Sequence, residues 1–133
     1  MFLEIRPNSK KPIYEQLILE IKRGLVSGEL QDGDLMPGVR VLASDLGINM
    51  HTVNKVYKHL EYEGVLVKGK GGFVINPHRL SKPDKEVEST LKEKLYELVM
   101  EKELYNVGDA TLFRLMGDIQ EMIINKEDSQ RVS

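Results

Sequence analysis

The 133-residue sequence contains no cysteine. Disulfides, zinc–thiolate centres and cysteine nucleophiles are thereby excluded, and a cytoplasmic location is expected. No stretch approaches the ~18 apolar residues of a membrane span. Residues 1–6, Met-Phe-Leu-Glu-Ile-Arg, lack the basic-then-apolar order of a secretory signal, so no membrane association is expected. Lys68 to Gly72 is rich in glycine and lysine, but it lacks the Gly-x-x-x-x-Gly-Lys-Ser/Thr spacing of a phosphate loop, and no helical pattern follows it. His51, His59 and His78 are not at metal-ligand spacing, and a lone histidine is usually a solvated or satisfied side chain. No Ser–His–Asp or paired-carboxylate arrangement emerges. Neither enzyme activity nor a metal or other cofactor is expected.

A net positive charge is also missing: the total is −2. Its distribution is uneven. Residues 40–79 carry 6 basic and 3 acidic side chains and all three histidines, whereas residues 80–133 carry 8 basic and 12 acidic ones. For a polyanionic partner a local basic patch matters more than the total. Hydrophobic content of 41% and charge of 30% describe an ordinary folded protein.

Residues 2–6 alternate apolar and polar and suit a short strand or an ordered arm. Pro12 suits a helix start. Ile13, Leu17, Ile18, Ile21 and Leu25 then form a helical stripe ending near Gly28, with Glu15, Glu20, Lys22 and Arg23 on the wet side. Residues 28–37 form a turn-rich loop with Leu30 and Leu35 tucked inward. A short helix runs from Pro37 to about Leu46, and Gly47 breaks it. Asn49 is a good cap for the next helix, which ends at Gly64. Two short helices joined by a tight glycine turn make a helix-turn-helix. Residues 65–68 and 72–75 read as strands around a glycine–lysine turn, the wing of a winged helix. Ser81 with Asp84 suggests a weak capping box for a helix reaching about Glu103, and Asp109 caps a last helix.

The helix after Asn49 has two faces. At about 100° per residue, Val53, Val56, Tyr57 and Leu60 share one side, while His51, Asn54, Lys55 and Lys58 share the other. One side is anchored; the other carries amide and basic groups that suit the DNA major groove, Asn toward adenine and Lys toward guanine or phosphate. By itself the second face reads more readily as a solvated surface. The preceding helix, the glycine turn and the wing favour DNA.

At Pro12-Ile13-Tyr14-Glu15-Gln16, Gly33-Asp34-Leu35-Met36-Pro37, Val39-Arg40-Val41-Leu42-Ala43, Leu46-Gly47-Ile48, Thr52-Val53 and Leu60-Glu61-Tyr62-Glu63-Gly64 the sequence resembles the GntR family of bacterial transcriptional regulators. The short two-helix tail resembles its YtrA-type branch. The resemblance implies a homodimer repressing transcription from an inverted-repeat operator. It implies DNA contacts from Arg40, from Asn49, His51, Thr52 and Asn54 at the recognition helix, and from the wing tip Gly69, Lys70 and Gly71. Met50, Lys55 and Lys58 complete the expected DNA-binding set. Gly38 stands where a serine cap is usual, Val41 where an acid is common and Met50 where a polar base contact is common. The wing is about two residues short of the family's usual length. The bland alternative for Arg40 is an ion pair with an acid such as Asp45.

The expected fold is mainly α (α+β). A winged helix-turn-helix DNA-binding domain occupies residues 1–76, a linker 77–83, a two-helix dimerisation hairpin 84–126, and a frayed tail 127–133. Val87, Leu91, Leu95 and Leu98, with Val99 beside them, and Leu112, Leu115, Met116, Ile119, Met122 and Ile123 form stripes that either pack on the winged helix of the same chain or meet a second copy. The second copy is favoured, and a two-fold dimer predicts an inverted-repeat site. The expected partners are double-stranded operator DNA, a second copy of the chain and an unknown small-molecule effector, the last in the dimer cleft or between domains. The alternative is a winged-helix protein–protein module without DNA binding, suggested by the acidic total, Met50 and Gly38.

Overall fold

The computed structural model describes residues 3–125. The expected frayed segment 127–133 lies outside them. In chain order come α1 (Ile13–Ser27), α2 (Val39–Leu46), α3 (Met50–Tyr62), β1 (Leu66–Gly69), β2 (Gly72–Ile75), a single 3-10 turn at Arg79–Ser81, α4 (Asp84–Leu104) and α5 (Asp109–Asn125). The fold is a winged helix-turn-helix followed by two long helices.

The core forms where three amphipathic faces meet. α3 packs against both α1 and α2. Leu17 and Ile21 of α1 and Val53, Val56 and Leu60 of α3 are fully buried. α1 ends at Gly28, whose φ of +86° is a left-handed conformation open to glycine and strained for side chains. Gly38 stands at the start of α2 and supplies no side-chain cap.

The N-terminal segment forms an arm, not a strand. Buried Gln16 holds it: its Oε1 accepts from the Arg6 N–H at 2.8 Å, and its Nε2 donates to the carbonyls of Arg6 at 2.9 Å and Lys11 at 2.8 Å. One turn on, Glu20 departs from the expected wet side. It is 3% exposed and accepts from the Glu4 N–H and from Arg23, each at 3.2 Å. Arg23 is half-buried beside it and reaches Glu29 at 3.3 Å. Burial alone lowers the Arg23 guanidinium pKa, but the hydrogen bonds and charges of Glu20 and Glu29 outweigh it and raise the value further. These charges turn inward because the arm covers them, and its backbone needs acceptors there.

Leu35 also departs from expectation: it is 60% exposed, and Met36 is the buried residue, at 3%. The loop runs alongside β2 in extended conformation. Leu35 pairs with Val74, and the Met36 N–H donates to the Phe73 carbonyl at 2.8 Å. Strand alternation then places neighbouring side chains on opposite faces. The wing itself is an antiparallel pair with Lys68 opposite Phe73 and Gly69 opposite Gly72. Its two-residue turn is Lys70 and Gly71, and Gly72 after it takes a φ of +127°, a conformation that favours glycine.

Ser81 does not cap α4. Its hydroxyl donates to the His78 carbonyl at 2.6 Å, and the Pro83 carbonyl receives the first helical bonds from Glu86 and Val87. Asp109 lies inside α5, not at its cap, and pairs with Lys102 at 2.7 Å across the inter-helix turn. That hydrogen bond and charge hold the Asp109 carboxyl below its ordinary range. Within one chain α5 contacts α1, yet no residue of α4 or α5 is buried. The stripes expected to face inward are therefore half-buried at Leu112, Met122 and Ile123 and exposed elsewhere.

Candidate nucleic-acid interface

The recognition helix is fixed at its start, along its inner face and at its end. Asn49 caps it, its side-chain oxygen accepting from the His51 N–H at 2.8 Å. Along the inner face, Tyr57 is 1% exposed and donates its hydroxyl to the Pro37 carbonyl at 2.7 Å, which ties α3 to the loop entering α2. Burial pushes the Tyr57 phenol pKa up. With this side held, His51, Asn54, Lys55 and Lys58 are exposed on the other, as the spacing predicts.

The remaining residues of the expected set divide. Arg40 is exposed in the first turn of α2, and it makes no ion pair with Asp45. Gly69, Lys70 and Gly71 are exposed on the wing. Met50 is half-buried and packs against the core, and Thr52 is half-buried. The Asn49 oxygen is committed to its cap, which leaves the amide nitrogen as its free donor.

Two residues outside the expected set join this surface. Phe73 on β2 meets Tyr57 edge-on at 5.4 Å, and the ammoniums of Lys58 and Lys68 each lie 5.8 Å from its ring centre. The available signal was the hairpin register: a two-residue turn places Lys68 directly across from Phe73. The approach of Lys58 is a tertiary contact with no such local signal.

The C-terminal end of α3 is set by charge. Glu63 pairs with Lys22 of α1 at 2.9 Å and with His59 at 3.3 Å. Burial alone raises the Glu63 pKa, but the Lys22 hydrogen bond and the charges of Lys22, His59 and, from α4, Lys94 outweigh it and hold the carboxyl below its ordinary value of 4.5. A depressed carboxyl contributes stability that is present above the unfolded-state pKa and is lost as pH falls through the folded one. The wild-type protein should therefore melt higher than Glu63→Gln at pH 7. The gap should shrink as pH falls below about 4.5. Thermal melts of both proteins from pH 7 to pH 3 check this; a gap independent of pH removes the charge from the explanation.

Among the described residues no helix is long and apolar enough to cross a membrane. A capped helix anchored on one face, presented beside a second helix and a glycine-tipped wing, defines a winged helix-turn-helix DNA-binding regulator of transcription. Residues 13–75 match the family model for bacterial regulatory proteins of the gntR family. The chain is 34% identical over 101 residues to the HTH-type transcriptional repressor YtrA of Bacillus subtilis, covering 74% of this chain and 77% of that one. It belongs to the GntR family, in its YtrA-type branch. Among solved structures, one described as a transcriptional antiterminator from Listeria monocytogenes superposes with a TM-score of 0.79 at 31% identity, covering 93% of both chains. YtrA from Sulfolobus acidocaldarius, described as a GntR-family transcription factor, superposes at 0.58 with 35% identity, over 73% of this chain and 99% of that one. The family consists of regulators, not enzymes.

Proposed function

We propose that the chain is a cytoplasmic repressor that binds an inverted-repeat operator as a homodimer, with α3 in the major groove. The observation that carries the reading is the exposed row His51, Asn54, Lys55 and Lys58 on a helix whose other face is fully buried. Asn54 has the paired donor and acceptor that match adenine, and Lys55 and Lys58 reach guanine acceptors or phosphates. His51 and Thr52 lie at the helix start, where the positive end of the helix dipole favours a phosphate. Arg40 has the same advantage at the start of α2, and the Asn49 amide nitrogen suits an acceptor on the backbone. Glycines 69 and 71 let the wing backbone approach DNA with Lys70 between them. Met50 is half-buried against the core and is the weakest member of the set. The exposed stripes on α4 and α5 support pairing of two chains, which sets two recognition helices about 34 Å apart on one side of the duplex. An effector, if the regulator takes one, has the dimer cleft or the joint between wing and tail.

The test is binding to DNA from upstream of the protein's own gene, measured against salt. Binding should fall steeply with salt, because lysine and arginine displace counterions from phosphates. Arg40→Ala and Lys55→Ala should each weaken binding by about tenfold and, where the lost contact is to phosphate, lower the salt slope by about one per subunit. Unchanged melting temperatures separate lost contacts from lost folding. Absence of binding at low salt by a confirmed dimer sinks the repressor and leaves the protein–protein module.

A further inference from the structure

We infer that Phe73 is a positioning residue for DNA binding, holding Lys58 of the recognition helix and Lys68 of the wing as one clamp for the sugar–phosphate backbone. The inference rests on the DNA-binding reading above. It adds a residue, Lys68, and a device that joins the two DNA-facing elements. Both ammoniums lie 5.8 Å from the same ring centre, so they can be no more than twice that distance apart. Lysine 22 of α1 and Lys102 of α4 lie against carboxylates, at 2.9 Å from Glu63 and 2.7 Å from Asp109. Lys58 and Lys68 make no ion pair among the described residues, and both are exposed. Two cations gathered on one aromatic ring without a counter-charge repel each other. The negative face of the ring offsets part of that repulsion, and a polyanion relieves the rest.

The ring is itself held in place. Its partner Tyr57 is buried at 5.4 Å and is fixed by the hydrogen bond to Pro37, while β-pairing sets Phe73 opposite Lys68. Phe73 thus relates the wing to α3 through side chains on the DNA side of the fold. Long lysine side chains lose rotamer freedom when they bind, and a ring that pre-orients both reduces that loss. Phosphates carry no sequence information, so the clamp contributes equally to operator and to unrelated DNA.

The experiment is a double-mutant cycle in the full-length protein. Phe73→Leu should weaken DNA binding by about three- to tenfold in the wild-type background. It should change binding less than about twofold in the Lys58→Ala/Lys68→Ala background, because its effect passes through those lysines. Phe73→Tyr, which keeps the ring, should restore binding. Operator and unrelated DNA should lose affinity by the same factor. In the free protein, ring-current shifts on the ε-methylenes of Lys58 and Lys68 should vanish in Phe73→Leu. An equal Phe73→Leu effect in both backgrounds assigns Phe73 to packing against Tyr57 and overturns the clamp, as does the absence of ring-current shifts. Wild-type protein that binds no DNA fails earlier, at the repressor reading, and takes the clamp with it.

Discussion

Aspartate at Leu95 and Ile119 together should make the protein monomeric and weaken operator binding by about a hundredfold or more. Leu95 is 48% exposed and Ile119 42% exposed in the single chain. Neither supports the winged-helix core, so a charge there leaves the fold of one chain intact. The same exposure is what calls for a partner. α4 is 21 residues long with none buried, and it shows Val87, Leu91, Leu95, Leu98 and Val99 to solvent, joined by Leu115, Met116 and Ile119 of α5. Monomeric proteins rarely leave a contiguous apolar surface of that kind uncovered. The contact of α5 with α1 covers only part of it. If two chains close over these stripes, a buried unpaired carboxylate on each is strongly unfavourable. DNA binding then loses the gain from two linked half-sites, typically 10²–10⁴-fold. Light scattering reads the mass, circular dichroism reads the helix content, and titration with operator DNA reads the affinity. A variant that remains dimeric places the interface elsewhere. A monomer with undiminished affinity shows that pairing does not serve DNA binding.

Glu20→Ala should cost about 3 kcal/mol of folding stability, a loss of more than ten degrees in melting temperature for a domain of this size. The substitution does more than remove a contact. It strips Arg23 of one of its two carboxylate partners and leaves the Glu4 N–H without its acceptor. Arg23 already has one buried nitrogen, Nη1, with no hydrogen-bond partner among the described residues, so the cluster has nothing in reserve. Glu20→Gln keeps an acceptor for the arm and should cost less than Glu20→Ala. Urea unfolding of the three proteins measures the differences. A loss below about 1 kcal/mol for Glu20→Ala places the carboxylate among ordinary surface pairs and removes its structural role.

Glu20, Leu35 and Ser81 mark the difference between what local pattern conveys and what it does not. By its charge Glu20 reads with Lys22 and Arg23 as part of a solvated face, because the helix pattern contains no N-terminal arm. Leu35 looks like a core leucine until the loop is laid along β2, where pairing with Val74 turns it out and Met36 in. Ser81 has the composition of a cap but hydrogen-bonds backward to His78. The first two misreadings come from partners distant in sequence, whereas Ser81 turns to a carbonyl three residues back. By contrast, Val53, Val56, Tyr57 and Leu60 follow helical spacing, and burial on that side forces His51, Asn54, Lys55 and Lys58 outward.

The order of elements, the cap at Asn49, the glycine stops at Gly28 and Gly47 and the glycine–lysine turn of the wing are properties of short stretches. Their causes are backbone conformational preference and side-chain periodicity, both of which act within a few residues. The two characters of α3 are of the same kind. Only the tertiary structure decided that Glu20 is inside with Arg23 against it, that Glu63 gathers charges from α1 and α3 with α4 nearby, that Met50 packs against the core, and that Lys58 meets Lys68 at Phe73. Those outcomes depend on which surfaces the packed elements bring within a few ångströms of each other, and electrostatic and packing forces act across that distance whatever the separation along the chain.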